Sequence, residues 1–258
     1  MYLGCSSESY SDLLDAGRLT LPEWLRVCAE DLGVGAVELE DKHIGEPTPG
    51  RLDELRDAAA RYGLEIVNVA LMNNFGLADD ARRRAEEART VEWIEASRRL
   101  GSRFLRTFAG WPEGDRAARW PAMLGALRAV CGRAETAGVR LVMENHNHGG
   151  FVQTAADVEA IFRDVGSPAL GLLLDTGNYL DGAPSIARTA GLAWHVHAKF
   201  TRVGADGRDA GVDQDAAIRA LRDVGYAGCI SVEYEGEESG RTAVPRIVSY
   251  LRRAIEHA

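Results

Sequence analysis

Four residues with metal-binding side chains stand at the ends of short apolar runs in the second half of the sequence. Glu144 follows "RLVM", Asp175 follows "LGLLL", His197 follows "AWHV" and Glu233 follows "CISV". Three carboxylates supply hard oxygen ligands and one imidazole adds a nitrogen, a set that suits Mn²⁺, Mg²⁺ or Co²⁺ better than a thiolate-type zinc site would. If these runs are adjacent strands, their ends face a common point, and the sequence predicts a divalent-cation site there.

Each of these residues also has a simpler explanation when it is taken alone. Asp175, in "DTGN", belongs to a residue type that caps turns, and His197 to one that often occupies a polar position in a core. Glu144 and Glu233 are acids that often pair with arginine at the rim of a site. Their joint occurrence at four successive runs favours the cation, because several buried acids at one place need compensating positive charge.

Three histidines lie near the same strand ends. Glu144 opens the stretch "ENHNHGG". If the strand continues, period-two alternation puts His146 on the face of Glu144, as a base or a substrate contact. His148 lies further into the loop and is either a candidate for substrate binding or a solvent-exposed side chain. His195 lies one layer deeper than His197, which favours a partner of the ligands or a core histidine.

Earlier segments and the end of the seventh run add candidates for substrate binding. "LRTFAGW" places Arg106 where it would meet a substrate oxygen or a buried acid, and Trp111 where it would stack on a sugar or pack in a loop. "NVALMNN" offers the amides of Asn73 and Asn74. Lys199, in "AWHVHAKF", is a candidate contact for an anionic group, or a solvated loop charge.

Eight short apolar runs alternate with longer amphipathic stretches along the chain. β-branched and aromatic residues are frequent in the runs and turn residues flank them, which favours strands. The predicted strands are "YLGCS" from Tyr2, "GAVELE" from Gly35, "EIVNVAL" from Glu65, "RFLRTFAG" from Arg103, "RLVMENH" from Arg140, "LGLLLDTG" from Leu170, "AWHVHAKF" from Ala193 and "CISVEYE" from Cys229. The predicted helices are 21–31, 51–62, 80–100, 116–137, 154–165, 185–189, 213–224 and 242–256.

The order of these elements predicts the fold. Eight strand–helix units in 258 residues indicate a (β/α)₈ TIM barrel of the α/β class, with residues 1–258 as one domain. Pro22 opens the first helix and several helices end on glycine, as helix caps do. A doubly wound open sheet is the alternative, but "LGCSSES" after the first run lacks the GxGxxG turn that this fold favours.

Composition restricts the classes of partner. The chain has 30 Lys and Arg against 39 Asp and Glu, a formal net charge of −9, which argues against nucleic acid or an anionic membrane as the main partner. "MYLGCSSESY" lacks the features of a signal peptide, and no run of ~18 apolar residues marks a membrane span. The four cysteines form no CxxC pair. We therefore expect no structural zinc and a cytoplasmic location.

Four strand-end sequences together resemble the xylose-isomerase-like TIM barrels: "MENHNHGG", "LLDTGN", "HVHAKF" and "SVEYEG". This superfamily includes sugar isomerases and epimerases, inosose dehydratases and metal-dependent abasic-site endonucleases, and the resemblance covers nearly the whole chain. In its ketose 3-epimerases, the metal ligands are Glu, Asp, His and Glu from the last four strands. The resemblance carries that set over to Glu144, Asp175, His197 and Glu233.

The resemblance also implies a reaction. Glu144 and Glu233 would act as an acid–base pair that removes a carbon-bound proton and returns it, while the cation stabilises the enediolate. Return to the same carbon from the other face is epimerisation, and return to the neighbouring carbon is aldose–ketose isomerisation. The epimerases carry a histidine three residues after the strand-six aspartate, where this chain has Asn178, a donor for a substrate hydroxyl. The endonucleases use more histidine ligands for several zinc ions, which this acidic chain with six histidines fits poorly.

The pair Glu144-x-His146 also resembles lyase-like relatives, including barrels that cleave C-glycosides of oxidised sugars. There His146 would take a proton beside a ketone before elimination, and such enzymes can need a second subunit. An inosose-type dehydratase would use similar chemistry.

Three hypotheses follow. The leading one is a cytoplasmic isomerase or epimerase that depends on a divalent cation, with Mn²⁺ expected first, and acts on a ketose or keto-polyol. The second is a lyase or dehydratase on the same substrate class, with His146 as base. The third is a barrel that keeps a cation for binding or structure without turnover. The expected partner is a small carbohydrate, and the resemblance leaves a homo-oligomer open.

Overall fold

Parallel hydrogen bonding between each strand and the next closes the sheet into a barrel, with the last strand paired to the first. The computed structural model describes residues 1–257. The strands are β1 Tyr2–Ser6, β2 Ala36–Glu40, β3 Glu65–Ala70, β4 Phe104–Thr107, β5 Arg140–Glu144, β6 Leu170–Asp175, β7 Ala193–Phe200 and β8 Cys229–Tyr234. The predicted (β/α)₈ architecture is confirmed.

Helices on the outside of the barrel connect successive strands. Within the described residues they are α1 Ser11–Leu14, α2 Leu21–Arg26, α3 Asp41–Ile44, α4 Pro49–Arg61, α5 Asp80–Leu100, α6 Arg116–Ala137, α7 Ala155–Val165, α8 Ala183–Thr189, α9 Gln214–Asp223 and α10 Gly240–His257. Gly101 and Gly138 end α5 and α6 in the left-handed conformation, as the sequence predicts. No helix within residues 1–257 combines the length and the apolar character needed to cross a lipid bilayer.

The fifth strand is shorter than the sequence predicts. β5 ends at Glu144, and the backbone N–H of His146 donates to the carbonyl of Val152 instead of to a neighbouring strand. The expectation that His146 shares a strand face with Glu144 is therefore wrong. Residue composition does not mark where ladder pairing stops, because polar residues occur on both sides of that point.

Short helical segments after the first two strands were also not predicted. A 3₁₀ turn at Ser7–Tyr10 precedes α1, and the single turn α3 follows β2 directly. The first long helix is split, since α2 ends at Arg26 and a π-helical turn covers Val27–Asp31. Segments of four or five residues are too short to show a helical period in the sequence.

Inside the barrel, an apolar layer lies near the amino ends of the strands and a charged layer lies above it. One cluster, separate from the larger core between strands and helices, forms the apolar layer: Ala36, Val67, Phe104, Val142, Leu173 and Cys229. Strand side chains repeat with period two, so the next residue on the same face stands one layer higher. These next residues include Glu38, Arg106, Glu144, Asp175 and Ser231, all of them buried.

A bulge in β7 fills the apolar layer without disturbing the charged one. The register of β7 against β6 shifts at Trp194, which becomes the extra residue of the bulge. Its ring centroid lies 6.4 Å from that of Phe104, and Gly171 leaves the space beside it because a Cβ there would overlap the indole. His197 therefore remains in the charged layer beside Asp175, and His195 lies one layer deeper, beside Leu173.

We expect Gly171→Ala to destabilise the barrel by about 1–3 kcal/mol, because the added methyl group would overpack against Trp194. Urea denaturation followed by circular dichroism measures the change. Gly132→Ala is the control, since this exposed glycine of α6 has open space around its Cβ and alanine should stabilise the helix by about 0.5–1 kcal/mol. Equal denaturation midpoints for Gly171→Ala and the parent protein would contradict the packing described here.

Candidate active site

Four side chains meet at the carboxyl ends of the last four strands. Glu144 ends β5, Asp175 ends β6, His197 lies in β7 and Glu233 lies in β8. One ligand atom of each lies within 4.8 Å of one ligand atom of every other, and none of the four residues is more than 2% exposed. The structure thus brings together the four residues that the sequence predicts as metal ligands, here called the acid–imidazole cluster.

His197 directs its two ring nitrogens to different partners. Its Nε2 lies 2.7 Å from Oε1 of Glu38, outside the cluster. Its Nδ1 faces the acids, 3.3 Å from Oε2 of Glu233 and 3.9 Å from Oδ2 of Asp175. Within residues 1–257, this Nδ1 and Oε2 of Glu144 are buried atoms that accept or donate no well-aligned hydrogen bond, although Oε2 has an ion-pair contact with Arg106. Burial opposes the charge of His197, yet Glu233 and Glu38 raise its pKa well above the usual range, so without a cation the ring carries a proton on both nitrogens. Buried polar atoms are normally satisfied, and a cation that replaced the Nδ1 proton would be bound by this nitrogen and by the acids that face it.

The charged layer contains more acids than cations. Five carboxylates in it are no more than 5% exposed: Glu38, Glu40, Glu144, Asp175 and Glu233. The buried positive groups that pair with them are three, Arg106, Lys199 and the imidazolium of His197. Burial raises the pKa of Glu144 and raises that of Asp175 well above its usual range, as happens to acids that lack enough positive charge nearby. A divalent cation fits this deficit, and three carboxylates with one imidazole suit Mn²⁺, Mg²⁺ or Co²⁺.

Glu38 lies between two imidazoles and was not among the residues predicted from the sequence. Its Oε2 is 2.7 Å from Nε2 of His195, and its Oε1 contacts Nε2 of His197 at the same distance. Burial opposes ionisation, but the charge of His197 and the hydrogen bonds from both imidazoles hold the pKa of Glu38 well below its usual range. The ionised carboxylate therefore accepts from Nε2 and leaves Nδ1 of His197 directed at the acids. His195 lies one layer deeper than His197, as predicted.

Arg106 connects two acids across the barrel. Its Nη2 donates to Oε2 of Glu40 at 2.9 Å, and its Nη1 lies 3.2 Å from Oε2 of Glu144. The guanidinium also stands over the ring of Phe108, 4.9 Å from the centroid. The sequence predicts that Arg106 meets either a substrate oxygen or a buried acid, and the structure contains the contact with a buried acid.

Lys199 and Asn178 also contact the cluster directly. Nζ of Lys199 lies 3.0 Å from Oε2 of Glu233 and 2.6 Å from Oε1 of Glu235. Nδ2 of Asn178 lies 3.1 Å from Oδ2 of Asp175 and 3.4 Å from Oε1 of Glu144. Burial opposes the charged form of Glu233, yet His197 and Lys199 hold its pKa well below the usual range. Each glutamate of the cluster thus has its own cation, Arg106 for Glu144 and Lys199 for Glu233.

A pocket of about 130 Å³ opens above the cluster at the carboxyl end of the barrel. Its polar lining residues are Glu8, Glu40, Lys42, Arg106, Glu144, Asn178, Lys199, Glu233 and Glu235. Its apolar side consists of Met72, Phe108 and the ring of His146. A cavity with this division fits a small molecule that has hydroxyl or carbonyl groups on one side and C–H groups on the other.

His146 reaches the pocket although its strand has ended. Its ring packs edge-on against Phe108 and Trp111, with centroids 5.5 Å and 5.2 Å away. Burial and the neighbouring His148 lower the pKa of His146 to about 4. The ring is therefore a neutral imidazole at pH 7, and its Nδ1 is buried without a hydrogen-bond partner in the described residues.

Three predicted substrate contacts lie outside the pocket lining. Trp111 supports the ring of His146 from behind, and His148 is exposed. Asn74 uses its Oδ1 to accept from the backbone N–H groups of Gly76 and Trp111, each at 2.8 Å. These contacts give Trp111 and Asn74 a role in shaping the loops around the pocket.

Comparison with known protein families places this chain in one class of TIM barrel. Residues 28–254 match the family described as xylose isomerase-like TIM barrel, and the chain belongs to that family. Comparison with curated proteins gave no match.

Solved structures of sugar epimerases share the fold over nearly the whole chain. The D-psicose 3-epimerase of Clostridium cellulolyticum H10 gives a TM-score of 0.80 at 17% identity, with 100% of this chain and 98% of that chain covered. An L-ribulose 3-epimerase gives 0.79 at 21% identity, covering 99% and 95%. The 3-keto-D-glucoside 4-epimerase from E. coli gives 0.79 at 16% identity, covering 98% and 99%. At these identities, the likeness establishes the fold.

We expect Glu38→Gln to weaken Mn²⁺ binding about 10- to 100-fold, because an amide no longer fixes the tautomer and direction of His197. Isothermal titration of the metal-free protein with MnCl₂ measures the affinity. Glu65→Gln is the matched control, since Glu65 begins β3 at the opposite end of the barrel. Equal affinities for Glu38→Gln and the parent protein would show that His197 does not depend on Glu38.

Proposed function

We propose that this protein is a divalent-metal-dependent isomerase or epimerase of a ketose or keto-polyol, with Glu144 and Glu233 as its acid–base pair. The observation that carries the proposal is that both glutamates belong to the acid–imidazole cluster and also line the same small pocket. The sugar epimerases with the same fold support it.

The cation would be held by Glu144, Asp175, His197 and Glu233, with Mn²⁺ expected first and Mg²⁺ or Co²⁺ as alternatives. When bound, such a cation supplies positive charge that polarises a carbonyl and stabilises the negative charge left by proton removal. Glu38 directs His197 toward this position, and Asn178 donates to two of the carboxylates.

The two glutamates reach the pocket from β5 and β8, with β6 and β7 between them in the barrel order. A substrate carbon held between them would lose its proton to one carboxylate and receive a proton from the other. Return to the same carbon from the opposite face inverts that centre, and return to the neighbouring carbon moves the carbonyl. Arg106 and Lys199 hold the two carboxylates in place.

The apolar side of the pocket would orient the substrate. Met72, Phe108 and His146 offer C–H and ring surfaces, whereas the opposite side offers only charged and amide groups. A sugar lies in such a pocket with its hydroxyl-bearing edge toward the acids. The narrow cavity also limits the water around the reacting carbon, which protects a carbanion-like state from side reactions.

We expect Glu144→Gln and Glu233→Gln each to reduce proton exchange about 10²- to 10⁴-fold, because each removes one member of the acid–base pair. The measurement is deuterium incorporation from D₂O into D-fructose, D-tagatose and L-ribulose in the presence of Mn²⁺, followed by NMR. Glu237→Gln, on an exposed residue outside the pocket lining, is the control. Turnover that persists in both variants would refute the assigned roles. Absence of exchange in a Mn²⁺-loaded parent protein would favour the barrel that binds a cation without turnover.

A lyase acting on a keto-glycoside or inosose is the second candidate, because His146 lines the pocket as a neutral imidazole whose Nδ1 has no hydrogen-bond partner in the described residues. In that reaction His146 would take the proton beside the ketone, and the electron pair left behind would form a double bond to the next carbon as the group on that carbon leaves with the electrons of its bond. If the oxidised substrate is a C-glycoside, such a lyase can also need a second subunit.

The two candidates predict different behaviour of His146→Asn. For an epimerase we expect less than about a tenfold loss of activity, since the glutamate pair remains, whereas a lyase that uses His146 as base should lose about 10²-fold or more. Incubation with a 3-oxo-glucoside and NMR of the products distinguishes an epimer from an unsaturated or cleaved sugar. His148→Asn controls for changes to the exposed loop.

A further inference from the structure

A second cavity, larger than the active pocket, lies beside it on the catalytic face of the barrel. It has a volume of about 600 Å³, compared with about 130 Å³ for the active pocket. Its walls come from the loops after β1 and β2 and from the first turns of α2 and α4. In TIM barrels, the loops that follow the strands form the face where substrates bind, so the position of this cavity is that of a substrate site.

Lys42 borders both cavities. Its Nζ lies 2.8 Å from Oε2 of Glu8, which lines the active pocket, and 3.7 Å from Oδ2 of Asp15, which lines the second cavity. The side chain of Lys42 therefore lines both spaces, and a ligand that extends past it would contact both.

The floor of the second cavity is ordered by buried contacts. The side chain of His43 is only 3% exposed. Its Nδ1 lies 2.8 Å from Oγ of Ser7, and its Nε2 lies 3.1 Å from Oδ1 of Asp15. Leu19 and Leu21 are buried beside it and present apolar surface to the cavity. The cavity thus has a fixed floor with both apolar and hydrogen-bonding parts.

The charges in this cavity cancel one another. Two acids, Asp15 and Glu54, face two cations, Lys42 and Arg51. Arg51 and Glu54 form an ion pair of 3.0 Å, and burial lowers the pKa of His43, which keeps that ring neutral at pH 7. A phosphate or a carboxylate would find no cation without a partner among these residues. A neutral sugar ring would find donors and acceptors for its hydroxyl groups and leucines for its C–H face.

We propose that the second cavity binds a second, non-reacting sugar ring, so that the substrate is a disaccharide or glycoside whose keto sugar occupies the active pocket. The proposal rests on the proposed function for the identity of the reacting ring. It explains why a cavity with matched donors, acceptors and apolar surface adjoins a pocket that holds little more than one small sugar.

The test compares D-fructose with three disaccharides that keep its keto group free: isomaltulose, lactulose and turanose. These carry glucose or galactose on different hydroxyl groups of the same fructose unit, so together they sample several directions out of the active pocket. Dissociation constants are measured by isothermal titration with the Mn²⁺-loaded protein, and turnover is measured by deuterium incorporation from D₂O. We expect at least one disaccharide to bind about tenfold or more tightly than D-fructose, a difference of about 1.4 kcal/mol.

Glu54→Trp is the decisive variant, because it should fill the second cavity from the exposed face of α4 without touching the active pocket. Asp57→Trp is the matched control, since Asp57 is one turn further along α4, is exposed and pairs with an arginine as Glu54 does. We expect Glu54→Trp to remove the preference for the disaccharide and leave D-fructose binding unchanged, and Asp57→Trp to leave both unchanged.

The outcomes separate the two proposals. Equal or weaker binding of all three disaccharides relative to D-fructose, or a preference that survives Glu54→Trp, overturns the second sugar site whether or not exchange occurs. Preferential binding of a disaccharide that Glu54→Trp abolishes supports the site, even if no sugar exchanges its proton. In that last case the proposed function fails and the second site stands.

Discussion

Buried negative charge at the mouth of the barrel is the constraint that the rest of the site has to satisfy. Five carboxylates share the charged layer with two permanently charged side chains. Each of these cations is placed between two acids, Arg106 between Glu40 and Glu144 and Lys199 between Glu233 and Glu235. Such placement lets one cation offset two acids, but it leaves the centre of the cluster deficient in positive charge. That deficit makes the cluster receptive to a small cation.

The fold gives this arrangement its precision because the acids are attached to a closed sheet. Hydrogen bonds on both sides of every strand fix the height of each side chain, and alternation decides which side chains point inward. Glu38 adds the final orientation by accepting from two imidazoles at once. The loops after the strands shape the pocket, since Phe108, Met72 and His146 line it without belonging to the cluster. The proposed chemistry would therefore depend on rigid strands, and the fit to a substrate would depend on the segments that follow them.

The sequence predicts the barrel and the four cluster residues well, for a physical reason. Regular alternation of apolar runs and amphipathic stretches leaves few architectures, and closure of a parallel barrel forces successive strand ends together. Glu38 was missed although its signal is present, since "AVELE" places Glu38 and Glu40 on one face of an otherwise apolar strand. Two alternating acids in such a strand indicate a charged interior.

Other features of the site depend on information that composition does not contain. The position of His146 follows from where β5 stops pairing, and the ion pairs of Lys199 follow from the depth at which β7 holds it. Asn178 could be placed at a strand end from the sequence, but its contacts with Asp175 and Glu144 depend on a particular loop conformation. The second cavity depends on helical segments of four residues, which have no recognisable sequence period.

The apolar layer beneath the charged one also determines from which end of the barrel solvent and ions reach the cluster. Trp194, Phe104 and their neighbours fill the barrel interior below the cluster, whereas the pocket opens at the carboxyl end. A molecule bound at this opening then controls how fast protons and ions of the acid–imidazole cluster exchange with bulk water. In a pocket with one opening, a bound ligand therefore shields the cluster from solvent.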